Sequence, residues 1–239
     1  MIKLNSLILN GESSADFPFL VAVEEVPGIV RANKKDKIFK TDYASGAMKQ
    51  SVDAYDTIDL QFVFYIHDVN RNQLRQFKSW FKDGGTLTRY DDPNMHYNYL
   101  SVEVESKPLD EVYGYEVTAR FLCEPFEYEE EQILDITNLK SITNHTNAVM
   151  YPKITLTAES SQPMSLVVGQ YHLYFHEGLR GEYELECKHG LQNLINKKNG
   201  ELANDLVKGR FIEVVPGDNS ISKTAGFTNI KMLCRWGWR

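Results

Sequence analysis

Strict alternation of apolar and polar residues constrains this chain more than any other feature. In SVDAYDTIDLQFVFYIH, Ile58, Leu60, Phe62 and Phe64 fall on one face. YEVTARFLCEP does the same with Val117, Ala119, Phe121 and Cys123, and LSVEVES with Leu100, Val102 and Val104. Successive side chains of a strand point to opposite faces, so a period of two marks half-buried antiparallel strands.

One segment breaks that rhythm. DVNRNQLRQFKSWFKDGG sets Leu74, Phe77 and Phe81 along one stripe with Trp80 beside it, which predicts an amphipathic helix near 70–83. Asp68 or Asn70 is placed to cap its start, and Gly84–Gly85 to end it in a left-handed conformation. The stripe packs the helix on the sheet.

The sharpest change in composition is at FEYEEEQILDITN. Glu127, Glu129, Glu130 and Glu131 crowd like charges together, which favours an exposed segment and a domain boundary near residue 130. The expected domains are therefore 1–130, mainly β with one helix, and 131–239. Beyond the boundary the pattern is strand throughout: PKITLTAES, MSLVVGQYHLYFH, GEYELECKH, LQNLINKK, GRFIEVVPG, NSISKT and TNIKMLCRWGW. Gly, Pro, Asn and Asp separate them, as in a β-sandwich. VVPGDN reads as a type II turn that ends the strand GRFIEVV. In the closing strand Ile230, Met232, Cys234, Trp236 and Trp238 are expected to face inward, and Lys231, Arg235 and Arg239 outward.

Composition narrows the function. The chain has 239 residues, 42% of them hydrophobic and 25% charged, enough for a real core in two domains of ordinary size. Its net charge is −7, and its only adjacent lysines are Lys34–Lys35 and Lys197–Lys198. That argues against stable nucleic-acid binding through phosphate neutralisation. Cys123, Cys187 and Cys234 are odd in number and far apart, which suits a reducing compartment rather than a disulfide framework. MIKLNSLILNGESS reads as a first strand and not as a signal peptide. No apolar run approaches the length of a membrane span, so no membrane insertion is expected.

No residue emerges as catalytic, cofactor-binding or metal-binding. His172 and His176 of HLYFH lie on a strand pattern, which starts their rings about 13 Å apart, too far to share a metal. Cys187 and His189 share a face but supply only two ligands. Asp91–Asn94 (DDPN) reads as a turn, without EF-hand spacing. G-x-S-x-G, HExxH, P-loop and G-x-G-x-x-G motifs are all absent, so the chain is not read as an enzyme and no cofactor is implied. The alternative with chemical content is a carbohydrate-binding β-sandwich, in which Tyr171, Tyr174, Tyr183, Trp236 or Trp238 would stack on a sugar ring.

Three stretches together resemble one family. They are the helix running into TLTRYDDPNMHYNYLSVEVES, then YGYEVTARFLCEPFEYEE, and then GEYELECKHGLQNLI through NKKNGELANDLVKGRFIEVVPGDNSI to the Trp-rich end. In order and spacing they look like the distal tail proteins (Dit) of phages with long non-contractile tails, over essentially the whole chain. The resemblance implies an N-terminal β-sandwich-like ring domain and a C-terminal galectin-like β-sandwich. It implies a homohexameric ring at the virion tail tip, assembled in the bacterial host cytoplasm. Such a ring joins the tail tube protein to the tail-associated tip protein and passes the tape measure protein and DNA. The C-terminal domain of such a baseplate hub projects outward and serves in several phages as a docking platform for receptor-binding adhesion proteins in host attachment.

Two expectations follow for this chain. An acidic protein suits a conduit through which DNA slides, so acidic or neutral side chains should line the channel. VRANKKDKIFKTDYASGAMKQ is long and polar for a loop in a compact domain. It should reach a neighbouring subunit, with Lys34, Lys35, Lys37 and Lys40 meeting acids there.

Overall fold

The computed structural model describes residues 4–40, 42, 45–50, 54–109 and 114–239. The chain divides into two compact units between Tyr128 and Glu129, with Arg239 belonging to the first.

In the first unit the elements run β1 (Leu7–Leu9), β2 (Glu12–Ser13), a 3-10 turn (Ser14–Asp16), β3 (Val21–Glu25), β4 (Lys37–Phe39), β5 (Met48–Gln50), β6 (Ile58–His67), α1 (Arg71–Trp80), β7 (Gly85–Arg89), β8 (Met95–Pro108) and β9 (Gly114–Glu129). One sheet carries the order β2-β1-β7-β8-β9-β6-β3, while β4 and β5 pair only with each other. The sheet curls back on itself: Val23 N–H donates to the Asn5 carbonyl, just before β1, at 2.9 Å. Ile58, Leu60, Phe62, Phe64 and Ile66 are buried, as are Val117, Ala119, Phe121 and Cys123. The alternation of these two strands therefore sets the core face.

Helix α1 closes that core. Asn70 Oδ1 accepts from the N–H groups of Asn72 and Gln73, and Gln73 Oε1 accepts from Asn70 N–H, a full capping box. The helix stops at Trp80, short of the glycines, because Phe81 turns to extended backbone. Phe81 is thereby free to pack edge-on against Phe64 and Phe77, at 5.8 and 5.2 Å between centroids. Gly84, at φ +75°, then serves the turn into β7.

Strand β8 departs from the simple pattern. Tyr97 and Tyr99 are buried, Leu100 is exposed, and Val102 and Val104 pack partly against the core. The inward parity thus changes at Leu100–Ser101, so Leu100 does not share a core face with Val102 and Val104. The larger Tyr rings claim the inward positions where the strand lies over the aromatic core.

The second unit contains β10 (Gln132–Asp135), β11 (Ser141–Asn144), β12 (Lys153–Glu159), β13 (Met164–Val168), β14 (Tyr171–Phe175), β15 (Arg180–Glu186), β16 (Asn193–Asn196), β17 (Val207–Gly209), β18 (Gly217–Lys223), β19 (Phe227–Cys234) and β20 (Gly237–Trp238). Two five-stranded antiparallel sheets, β10-β19-β12-β15-β16 and β11-β18-β13-β14-β17, enclose one core. Ile154, Leu156, Ile230 and Met232 from one sheet and Leu166, Leu173 and Phe175 from the other are completely buried. This is the sandwich that the strand spacing implied, and the mainly-β class holds for the whole chain.

Two local expectations fail here. Of GRFIEVV, only Gly209 belongs to a strand, β17; the rest is irregular apart from one bridge, Met150 to Val214, although Ile212 and Val214 are buried. Both side chains fill the core, but only Val214 has a bridge partner for its backbone, exchanging hydrogen bonds with Met150 at 3.0 and 2.9 Å. Gly217 does take positive φ, at +90°, but there it begins β18. In the closing segment Trp236 is 2% exposed while Trp238 is 37% exposed. The alternation does not survive the break between β19 and β20, so Trp238 turns outward and gives its indole N–H to Glu129 at 2.7 Å.

Trp236→Ala should therefore cost the second unit about 3–5 kcal/mol, as for other large-to-small changes in a core. Trp238→Ala should cost clearly less. Chemical denaturation followed by circular dichroism reads both. Equal losses would mean that the two rings are equally buried.

Candidate functional site

The Asn33–Gln50 segment stands apart from both cores. Its root is fastened to the strand before β6. Lys35 N–H donates to the Ala54 carbonyl and Asp56 N–H to the Asn33 carbonyl, each at 2.9 Å. Lys34 pairs with Tyr55 in an isolated bridge, and its ammonium lies 6.0 Å from the centre of the Tyr55 ring. Tyr55 is held in turn by Phe126, edge-on at 5.4 Å, and by Arg239, whose guanidinium lies 4.8 Å over the ring and donates to the hydroxyl at 2.8 Å.

Beyond this root the chain forms the β4–β5 hairpin, with Lys37 opposite Gln50, Ile38 opposite Lys49 and Phe39 opposite Met48. All six residues are exposed, Ile38 at 64%, Phe39 at 47% and Met48 at 69%. A lone two-stranded hairpin is marginal in water, and this one offers apolar side chains to solvent on both faces. One face joins Phe39 and Met48 with Lys37 beside them; the other carries Ile38 and Lys49, the latter bound to Asp36 at 2.5 Å.

The four lysines singled out from sequence therefore divide. Lys34 and Lys35 belong to the root, where Lys35 lies 3.9 Å from Asp56 of its own chain. Lys37 and Lys40 are exposed on the arm. Ile38, Phe39 and Met48 are what sequence reasoning missed. The signal was present as apolar residues inside an otherwise polar loop.

Two depressions lie elsewhere on the first unit. One of about 350 Å³ is lined by Gly11, Glu12, Ser13, Asp16, Phe17, Pro18, Gln76 and Trp80. The other, of about 430 Å³, is on the sheet face away from the helix and is lined by Asp59, Leu60, Gln61, Ser101, Glu103, Arg120 and Leu122. On that second face Arg120 Nε donates to Gln61 at 3.1 Å, and Lys107 pairs with Glu116 at 2.8 Å.

The acidic run is not simply an exposed segment. Glu124 accepts from Asn98 and Tyr128, Glu127 from the Tyr97 hydroxyl, and Glu129 from Trp238. Of the run, only Glu130 and Glu131 are exposed, and Glu131 still accepts from Arg235 Nε at 3.3 Å. Strand alternation lets each earlier carboxylate find a neutral donor, so the like charges need not repel into solvent. Burial, together with the Glu127 carboxylate, pushes the Tyr97 hydroxyl well above its ordinary range. Nearby, buried Arg89 holds Asp91 with two hydrogen bonds, at 2.9 and 2.6 Å, which depresses the Asp91 carboxyl.

The remaining candidates do not assemble. His172 is exposed on β14, and His176 follows the strand. His189 packs on Tyr151 at 4.8 Å while Cys187 is buried. Burial pushes all three thiols up to about 12, so none is a thiolate at neutral pH. Among the described residues no three His, Cys, Asp or Glu side chains gather as a metal site. Of the five aromatics considered for sugar stacking, Tyr171, Tyr183 and Trp236 are core, and only Tyr174 and Trp238 reach the surface. Among the described residues no helix is long and apolar enough to cross a membrane.

No protein-family model matches the chain, and no curated protein matches it. Among solved structures it is similar to the crystal structure of Dit (gp 19.1) of SPP1, described as a paradigm of hub adsorption apparatus in Gram-positive infecting phages. The TM-score is 0.76 at 16% identity, over 99% of this chain and 100% of that one. At that identity the likeness establishes the fold, in both units.

Depressing the Asp91 carboxyl links it to stability. The Arg89 pair contributes fully above the unfolded-state value of about 3.9 and is lost as pH falls through the lower folded-state value. Asp91→Asn should cost the first unit roughly 1–3 kcal/mol at pH 7, toward the low end because Asp91 stays partly in water. The variant should also lose less stability than the parent between pH 5 and 2. Parallel pH curves for the two proteins would show that the pair adds nothing.

Proposed function

We propose that this chain is a distal tail hub protein of a phage with a long non-contractile tail. In this reading the first unit builds a hexameric ring, and the ring continues the tail tube and meets the tail-associated tip protein. The tape measure protein and DNA pass through the ring, and the galectin-like second unit projects outward as a docking platform for adhesion proteins. The work of such a part is geometric, which fits a chain in which no metal cluster gathers among the described residues and all three thiols are buried.

The observation that carries the reading is the likeness to the SPP1 Dit hub over nearly the full length of both chains. The arm adds to it. A closed ring needs a head-to-tail interface made from two different surfaces of each subunit. The β4–β5 hairpin is a ready half of one, since its apolar residues have no core of their own. The uncovered sheet face suits a channel wall: Asp59, Glu103 and Glu116 outnumber Arg120 and Lys107. A wall of that sign does not release counterions from passing DNA and so does not hold it.

Deleting residues 33–48 should abolish hexamers in light scattering while the second unit, with its separate core, stays folded. Unchanged hexamers would rule the arm out. Electron microscopy of the parent protein should show six-fold rings whose lumen is acidic or neutral, and an Arg/Lys-lined lumen would refute the channel assignment.

A further inference from the structure

We propose that the depression lined by Glu12, Asp16, Phe17 and Trp80 receives the β4–β5 arm of a second copy of this chain, with Phe39 and Met48 entering it and Lys37 meeting its carboxylates. This rests on the ring reading and names the surface that reading leaves open.

The two surfaces match in charge. Between residues 33 and 50 the chain has five lysines against two aspartates, a local +3, in a protein of net −7; the rest therefore carries −10. The depression places Glu12 and Asp16, both exposed, at its rim.

They match in chemistry too. Phe17 lies edge-on to Trp80 at 5.9 Å and to Phe77 at 5.2 Å, so its ring and the indole form a fixed aromatic wall. Phe39 and Met48 are opposite one another on one hairpin face, with Lys37 two residues from Phe39 on the same face. Aromatic and thioether groups pack well on such a wall, and an ammonium beside it gains both carboxylates and ring faces. A cavity of about 350 Å³ has room for side chains of this size.

They are also distinct surfaces, as a head-to-tail ring requires. The arm's root lies beside the Ile58 end of β6, through Asn33 and Asp56. The depression is built from β2, the turn after it and α1, and α1 follows the His67 end of β6. Each subunit thus gives an arm and takes one.

The test uses the full chain and light scattering across a dilution series at fixed salt. Glu12→Lys with Asp16→Lys, and separately Lys37→Glu, should each raise the concentration at which hexamers dissociate at least about tenfold, equivalent to ~1.4 kcal/mol. Combining all three should recover most of that loss. As an independent measurement, a Lys37→Cys preparation is mixed with a Glu12→Cys preparation and treated with a short bis-maleimide. A covalent dimer should form in the mixture; the three native cysteines are buried. Parent hexamers that are insensitive to the pocket reversals, or a mixture that yields no covalent dimer, would overturn the pocket while leaving the ring intact. A parent chain that never forms hexamers would overturn the ring reading and this inference with it.

Discussion

Phe77 is the contact on which the first unit depends. It is fully buried and packs at 5.2–5.7 Å against Phe17, Phe64, Trp80 and Phe81. Those four rings come from the segment before β3, from β6, from the helix and from the residue that ends the helix. One side chain therefore fixes the helix on the sheet, draws the Phe17 segment across, and sets the aromatic wall of the small depression. Burying a ring of this kind contributes a few kcal/mol, and the geometry it imposes is shared by everything around it.

The same aromatic lattice explains which parts of the fold were legible in the sequence. Where side chains answer to a single buried face, as in β6 and β9, parity placed Ile58 to Phe64 and Val117 to Cys123 correctly, and Ile66 continues the same face. Where two demands compete, parity fails. At Leu100 the strand gives the inward positions to Tyr97 and Tyr99 and then changes phase. At Phe81 the backbone turns extended and ends the helix, and its ring packs edge-on against Phe64 and Phe77. Around Ile212 and Val214 apolar residues fill the sandwich with a single bridge, Val214 to Met150, so a strand-like sequence yields mostly irregular backbone.

The acidic run and the Trp-rich end show a second limit. Sequence spacing reports like charges and alternation, but not the donors that another segment will bring. Glu127 is satisfied by Tyr97, about thirty residues earlier, and Glu129 by Trp238, across most of the second unit. Those partners turn a predicted repulsive linker into part of a hydrogen-bonded strand. The arm was legible as a long basic loop, but its Phe39–Met48 face depends on the hairpin register, which neither lysine count nor loop length reveals.

Charge distribution then separates two tasks that a single net charge would set against each other. In the proposed ring an acidic body would keep passing polyanions mobile, yet identical acidic subunits would repel one another as they close. Concentrating lysines on one exposed arm would relieve that conflict locally, with opposite charges meeting where arm and neighbour touch. At physiological ionic strength attraction between exposed charges fades within about 8 Å, so in such a ring the lysines would orient an approaching subunit rather than hold it. Holding would fall to the apolar Phe39–Met48 face, whose side chains an isolated chain leaves in water and a neighbouring subunit would cover.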